Sequence, residues 1–345
     1  MKNWQTLQKN PEKFETFWVR EQVYAGIREY FTRQGFHEVE TPLLVAAPGT
    51  EPFLEVFETT LLRPNQPNQR GFLLTSPEYA MKKLVAAGSG PIYQICKSFR
   101  NGEGESSRHN PEFTMIEWYR PNADYTAIME DCERMFVHLV EQQGKDIKKF
   151  VYQGKSYDLT TPWPRMSVAE AFEKYVGIDA DTLLDEEKIK KVAAEKGYQV
   201  LPATTWEQAY NQLMLNLIEP HLGEEKPMFL YDYPASQAAL ARPKASDPRF
   251  AERFEWYLGT LELGNAFSEL TDSVEQEKRF TSELAERAKM GKTPYDLDRD
   301  YLESLKSLPP TGGIAVGVDR LVMLMADVAD LRDVTFFPVA DVFPR

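Results

Sequence analysis

Several stretches of this 345-residue chain set chemistry-bearing residues at telling positions. Residues 98–120, SFRNGEGESSRHNPEFTMIEWYR, open apolar, break into glycines and polar residues at 101–107, and resume as PEFTMIEWY, a strand, loop and strand with the charge in the loop. In the second strand Phe113, Met115, Glu117 and Tyr119 share one face, where a carboxylate among apolar and aromatic neighbours is costly without a partner. Glu117 is therefore expected to meet a cation. Glu255, Glu262 and Glu269 recur seven residues apart; on a helix they would share a face, but the β-rich composition and the Gly-Asn break favour strands with turns between. The plain alternative is three solvated edge carboxylates. In GGIAVGVDRL small residues let a ligand approach the backbone, and a strand passing into a helix sets Arg320 near the positive end of the helix dipole. Arg100 and Arg320 offer phosphate a planar fork of donors that lysine cannot copy.

The elements that must hold these residues follow from the pattern. Residues 1–14 are polar, contain Pro11 and read as a loose leader. Over 17–31 Val19, Val23, Ile27, Tyr30 and Phe31 recur at helical spacing, with Gly35 where a helix would stop, and 36–44 reads as one strand interrupted by Pro42. FLEVFETTLL and GFLLTS, separated by a turn near 64–68, read as a hairpin, and Ser76-Pro77 before Glu78 as a helix start. By itself Glu78 is equally a first-turn acid favoured by the helix dipole. A helix is expected at 124–143, a strand pair at 150–159, a buried strand at PMFLYDYP, and helical patterns at 167–175, 186–196 and 206–218. The fold class is α+β, with 1–345 as a single catalytic domain and 165–225 as a small helical insertion within it. Gly154-Lys155-Ser156 imitates the tail of a phosphate-binding loop, but Lys149 stands where its first glycine belongs, which excludes that reading.

Composition narrows the function classes. The formal charge of −13 is unfavourable for holding an extended phosphate backbone, and no basic patch stands out. Cys96 and Cys132, the two cysteines, indicate neither a disulfide framework nor a zinc cluster. No basic segment leads into an apolar run at the start and no eighteen-residue apolar stretch occurs, so a cytoplasmic protein without a membrane partner is expected.

The match of Phe99-Arg100-Asn101 and Arg108-His109-Asn110-Pro111-Glu112-Phe113-Thr114 is long, and in these residues the chain resembles the class II aminoacyl-tRNA synthetases, and within them the lysyl enzymes. The helix, strand and proline before Leu44 correspond to motif 1, residues 98–120 to motif 2, and GGIAVGVDRL to motif 3. The resemblance implies an antiparallel sheet flanked by helices, ATP and magnesium as cofactors, and a lysine isomer as amino acid. It implies that Arg100, Glu262 and Arg320 are catalytic, neutralising charge and aligning reactants as a carboxylate attacks the α-phosphate. Asn101, Glu103, His109, Phe113, Leu263 and Gly317 join them around ATP, with Phe113 stacked on adenine; Gly102 displaces the usual acidic residue, and Glu103 is favoured over Glu105 for the adenine contact. Glu255 and Glu262 would hold magnesium. Ser76, Pro77 and Glu78 form the amino-acid loop, Glu117, Tyr119 and Glu269 enclose the terminal ammonium, and Asn265 and Ala315 complete that pocket.

Lysyl-tRNA synthetases carry an oligonucleotide-binding barrel before motif 1, and the fewer than twenty residues preceding the helix here cannot make one. The resemblance is fullest to the truncated relatives of the lysyl enzymes that join β-lysine to a lysine of translation elongation factor P. It implies elongation factor P as acceptor, no tRNA, and a homodimer through motif 1. A lysyl-tRNA synthetase without its anticodon module, or a non-catalytic paralogue, are the alternatives. Ala315 stands where the lysyl enzymes usually have glycine, and its methyl is expected to disfavour α-lysine.

Overall fold

The strands, several of them buried on both faces, build one eight-stranded sheet in the order His37–Glu38, Ile92–Phe99, Glu112–Pro121, Thr311–Gly317, Leu261–Ser268, Phe250–Leu258, Met228–Pro234 and Arg165–Ser167. This is a computed structural model describing residues 3–102 and 106–343. The six central strands are antiparallel, while the short strands at both edges pair in parallel, so the sheet is mixed where an antiparallel one is expected. Parallel neighbours need a crossover, and the chain supplies one at each edge. Between Arg165–Ser167 and Met228–Pro234 that crossover is the run of helices from Val168–Tyr175 to Trp206–Leu213 and the turns that follow.

One face of the sheet is the main core. Ile116, Trp118, Phe254, Trp256, Ile314 and Val316 point into it and meet the buried sides of helices Lys13–Arg33, Tyr125–Gln142 and Val318–Ala326. Each large side chain buried here contributes about 1.5–3 kcal/mol relative to exposure. The opposite parity faces the site.

These crossover helices fold through local signals. Ser167 with Glu170 and Thr205 with Gln208 form capping boxes at the starts of helices Val168–Tyr175 and Trp206–Leu213. Their apolar side, including Phe172, Leu183, Ile189 and Tyr210, shares one cluster with Leu230, Phe250 and Tyr257 of the sheet.

Two expectations near the start are corrected. The residues read as a loose leader include the helix Asn3–Lys9, which docks through buried Leu7. The stretch 36–44 is not one strand: His37–Glu38 joins the large sheet, and Leu44–Val45 joins the hairpin Phe57–Leu61/Gln69–Leu73. Pro42 lies between them, and a residue without an N–H cannot continue a ladder.

A polar tie links the three motif regions. Arg20 Nη2, from helix Lys13–Arg33, lies 2.6 Å from Asp319 Oδ1, and the Thr114 N–H donates to Asp319 Oδ2 at 2.7 Å. Arg20 Nη2 also donates to the Val334 carbonyl at 2.8 Å. The start of the helix that carries Arg320 is thereby anchored to both neighbours.

Candidate active site

Strand register assembles the floor of a cavity of about 770 Å³. Glu117 lies opposite Ala315, Ala315 opposite Asn265, and Asn265 opposite Glu255, forming one row across four strands. Tyr119, Gly313, Phe267 and Arg253 form the parallel row two residues along. Directly paired residues share a face, so both rows look away from the main core. Helix Glu78–Ala86, helix Ser273–Lys289 and residues 235–240 supply the walls.

Along a single strand a seven-residue step reverses parity, which would set Glu255 and Glu262 on opposite sides. The two-residue turn at Gly259 and Thr260, both at positive φ, instead pairs Glu262 with Tyr257 and so puts it on the face of Glu255, and the register shift between Trp256 and Tyr257 then brings Asn265 opposite Glu255. Glu269 follows the end of its strand, and its N–H donates to the Thr311 carbonyl at 2.8 Å.

At one end of the cavity three carboxylates surround a lysine. Glu117 is 1 % exposed and accepts from Ser76 Oγ at 2.6 Å and from the Tyr119 hydroxyl at 3.0 Å. The expected cation does not touch Glu117. Lys82 instead bonds Glu78 and Glu269, with its Nζ 5.9 Å from the Tyr119 ring centre. Burial, reinforced by the charge of Glu78, pushes the Glu117 carboxyl up to about 8 despite its two hydroxyl donors. Burial disfavours the charge on Lys82, but the contacting Glu269 and Glu78 outweigh it and hold Lys82 charged, well above the ordinary lysine range. The Glu269 carboxyl is raised by burial, and its Oε1 makes no hydrogen bond among the described residues. Gly313 makes room for this pair, since a Cβ there would lie 2.5 Å from Glu269 Oε1.

At the other end the groups are arginines and a metal-competent carboxylate. Arg320 Nη1 donates to the Glu262 carbonyl oxygen and lies 3.8 Å from Glu262 Oε2. The Arg100 guanidinium stands 5.1 Å from the Phe113 ring centre, which leaves the ring's other face for a flat partner. Desolvation within the cavity and the charge of Glu255 push the Glu262 carboxyl up to about 7, against the lowering effect of Arg320, Arg253 and Arg100. Glu255 sits behind the cavity wall, its carboxylate held by Arg253 at 2.5 Å and by the Tyr233 and Tyr257 hydroxyls at 2.7 and 2.5 Å. Magnesium takes one or two protein carboxylates and completes its octahedron with phosphate and water oxygens, a demand Glu262 with Glu255 fits. No group of three or more metal-competent side chains occurs among the described residues, so phosphate oxygens would have to complete the shell.

Most residues expected at the site line the cavity, including Ser76, His109, Asn265, Ala315 and Gly317. Four do so differently or not at all, Glu255 behind the lining among them. Asn101 turns away, its N–H donating to the Glu55 carbonyl at 2.9 Å and its amide pointing to the Val56 carbonyl. Pro77 caps helix Glu78–Ala86 and forms no part of the wall, and the Leu263 side chain is packed in the main core, so only its backbone can serve a ligand. Glu103 and Glu105 lie outside the described residues. Two further residues, outside the motifs, belong to the site. Lys82 stands four positions after Glu78 on a helix, a spacing that signals a pair. Arg253, two residues before Glu255 on one strand, also donates to Asn265 Oδ1 at 3.1 Å and so joins the two ends of the site.

A strand pair bearing Arg100 and Phe113, crossed by a strand and helix delivering Arg320, defines a class II synthetase catalytic domain. The chain belongs to the class II tRNA synthetases (D, K and N), whose family pattern it matches over residues 1–341. It is 39 % identical over 341 residues to the elongation factor P–(R)-β-lysine ligase of Pasteurella multocida, covering 98 % of both chains. The enzyme of that name from Salmonella paratyphi B is 39 % identical over 324 residues, 93 % of this chain and 94 % of the relative. The lysine–tRNA ligase of Moorella thermoacetica is 37 % identical over 333 residues, covering 95 % of this chain and 66 % of the relative. The chain thus spans about two-thirds of the length of the lysine–tRNA ligases it matches. No helix among the described residues is long and apolar enough to cross a membrane.

Proposed function

We propose that the protein is an ATP-dependent, AMP-forming ligase that activates β-lysine as its adenylate and transfers it to a lysine side chain of translation elongation factor P. The observation that carries this reading is the buried cage of Glu78, Glu117, Glu269 and Lys82. Three carboxylates and one ammonium leave a formal charge of minus two, which matches the two ammonium groups of a lysine isomer. Coverage of both chains by the elongation factor P ligases supports the choice of acceptor.

In the first step the substrate carboxylate attacks the α-phosphorus of ATP and pyrophosphate leaves with the bond it gives up. Arg100 and Arg320 offset the charge that two approaching anions bring together. Glu262 and Glu255 would hold magnesium, which supplies charge neutralisation on the departing phosphates. Phe113 offers adenine a stacking surface worth roughly 1–3 kcal/mol. In the second step an acceptor lysine amine attacks the acyl carbon, AMP leaves with the acyl oxygen, and the amine loses a proton to solvent. No protein nucleophile is required.

The test is incubation with ATP, magnesium, α- or β-lysine, and either elongation factor P or bulk tRNA. The expected products are pyrophosphate and modified elongation factor P, with tRNA a poor acceptor because a chain of formal charge −13 is ill suited to a phosphate backbone. Efficient lysylation of tRNA at physiological salt moves the assignment to a lysine–tRNA ligase. A lack of pyrophosphate exchange with either isomer removes the enzyme reading.

We also propose a two-fold dimer through the motif 1 region, where Trp18, Leu43 and Leu44 are exposed apolar residues beside helix Lys13–Arg33 and its following strands. Light scattering should give twice the chain mass of 39.7 kDa, and a monomer at micromolar concentration contradicts it. The proposed location is the cytoplasm, to be checked by fractionation.

Ala315 lies between Glu117 and Asn265 in the row that faces the cavity. Its methyl crowds the α-carbon of a substrate whose amino group sits on Glu78, and a one-carbon mismatch is worth about 1–3 kcal/mol. Ala315→Gly is expected to raise kcat/KM for α-lysine relative to β-lysine by roughly tenfold or more. An unchanged ratio, or a shift toward β-lysine, refutes this.

A further inference from the structure

Lys82 is an ionisable group buried at the heart of the pocket, and the two reaction steps do not use it. It is 1 % exposed, lies on helix Glu78–Ala86, and joins Glu78 to Glu269 across the pocket while leaving Glu117 with hydroxyl partners alone. We propose that Lys82 is the specificity residue that sets the pocket's charge count, neutralising one of three buried carboxylates so that a ligand with two ammonium groups is matched. This deepens the lysine-isomer reading and rests on it.

The argument is electrostatic. A carboxylate kept from water must be paired or protonated, since an unmatched buried charge is far costlier than either. The groups that face Lys82 are Glu78 on its own helix, Glu117 and Tyr119 on strand Glu112–Pro121, Glu269 after strand Leu261–Ser268, and Tyr301 on helix Arg299–Ser304. Glu283, on helix Ser273–Lys289, acts on Glu78 from the next layer. Lys82 is the one cation in this set. With it in place, two negative charges await a ligand; without it, three do, and two ammonium groups leave one carboxylate that must stay protonated. A ligand with a single ammonium leaves one carboxyl of the native pocket protonated and without an ionic partner.

Proton release on binding reads this count directly, because each carboxylate that pairs with a ligand ammonium gives up the proton it held in the empty site. Calorimetric titration of the full chain with the lysine isomer it activates, between pH 7 and 9.5 and in two buffers of different ionisation enthalpy at each pH, measures that number. With the Glu117 and Glu269 carboxyls both pushed up to about 8, wild type should release about two protons at pH 7 and fewer as pH rises through 8. Lys82→Met, which removes the charge that lowers both carboxyls, should keep releasing about two to higher pH, the fall moved up by about one pH unit. Lys82→Arg keeps the charge and should return the fall to about pH 8. If Lys82→Met does not fold, Lys82→Gln, which keeps a hydrogen-bonding group for the two carboxylates, carries the test.

A release profile in Lys82→Met that falls at the same pH as in wild type, or one in Lys82→Arg that is moved up, overturns the role of Lys82. Absence of binding by the wild-type chain to either isomer overturns the lysine reading instead.

Discussion

Glu262→Gln is expected to lower lysine-dependent pyrophosphate exchange by about 10²–10³-fold, the usual cost of removing one group that stabilises transition-state charge. The substitution keeps the main-chain oxygen that receives Arg320 Nη1, so the arginine's anchor survives. What disappears is the charge that faces the cavity, with Glu255 already held behind it by Arg253, Tyr233 and Tyr257. The loss should therefore fall on kcat/KM for magnesium-ATP and be partly recovered by excess magnesium. Amino-acid binding measured without nucleotide should be unaffected. A rate near wild type would show that Glu262 does not hold the metal.

Glu117→Gln is expected to reduce kcat/KM for the lysine isomer by roughly 10²–10⁴-fold, corresponding to the ~3–5 kcal/mol typical of breaking a buried charge pair. It should also erase a pH dependence. In the empty site the Glu117 carboxyl holds its proton up to about pH 8, and only the ionised form pairs with an ammonium. Wild-type affinity should therefore fall as pH drops below about 8, by about tenfold per unit on the acid side. The variant, with nothing to ionise at this position, should show a flatter profile between pH 6 and 8. The sign for folding is the opposite: an acid whose pKa is raised from 4.5 to about 8 makes the empty protein less stable as pH rises through that window. Added lysine should offset this loss, readable as a ligand-induced rise in Tm that is greater at pH 8 than at pH 6. An unaltered pH profile in Glu117→Gln would place the titrating group elsewhere.

Much of this protein is legible in the chain because its signals are local. The hairpin Phe57–Leu61/Gln69–Leu73, the capped helix Tyr125–Gln142 and the strand Met228–Pro234 follow from turn residues, spacing and alternation that neighbours in sequence settle among themselves. Parity alone marked Glu117 as a buried carboxylate with an unmet need, and the run from Arg108 to Thr114 marked the family. Which group would meet that need was a different kind of question. Glu117 is answered by hydroxyls because Lys82 is drawn to Glu78 on its own helix and to Glu269, which is distant in sequence.

The three glutamates show the same division. Their seven-residue spacing is visible in the sequence, but a strand reverses its face at every residue, and spacing alone puts Glu255 and Glu262 on opposite sides. The two-residue turn at Gly259 and Thr260 restores the shared face; the glycine marks the turn, but the register against the neighbouring strand decides which residues it sets opposite one another. Asn101 and Asn265 are both polar residues beside a motif, yet one turns to the hairpin and the other into the cavity because pairing, not composition, aims them. The sequence by itself determined the elements, the family and the need for charge compensation, since these depend on periodicity and on the cost of burying a charge. The tertiary structure decided which charges meet, which carboxylate remains for a ligand and which faces share a cavity, because register and long-range packing bring together residues that the chain keeps far apart.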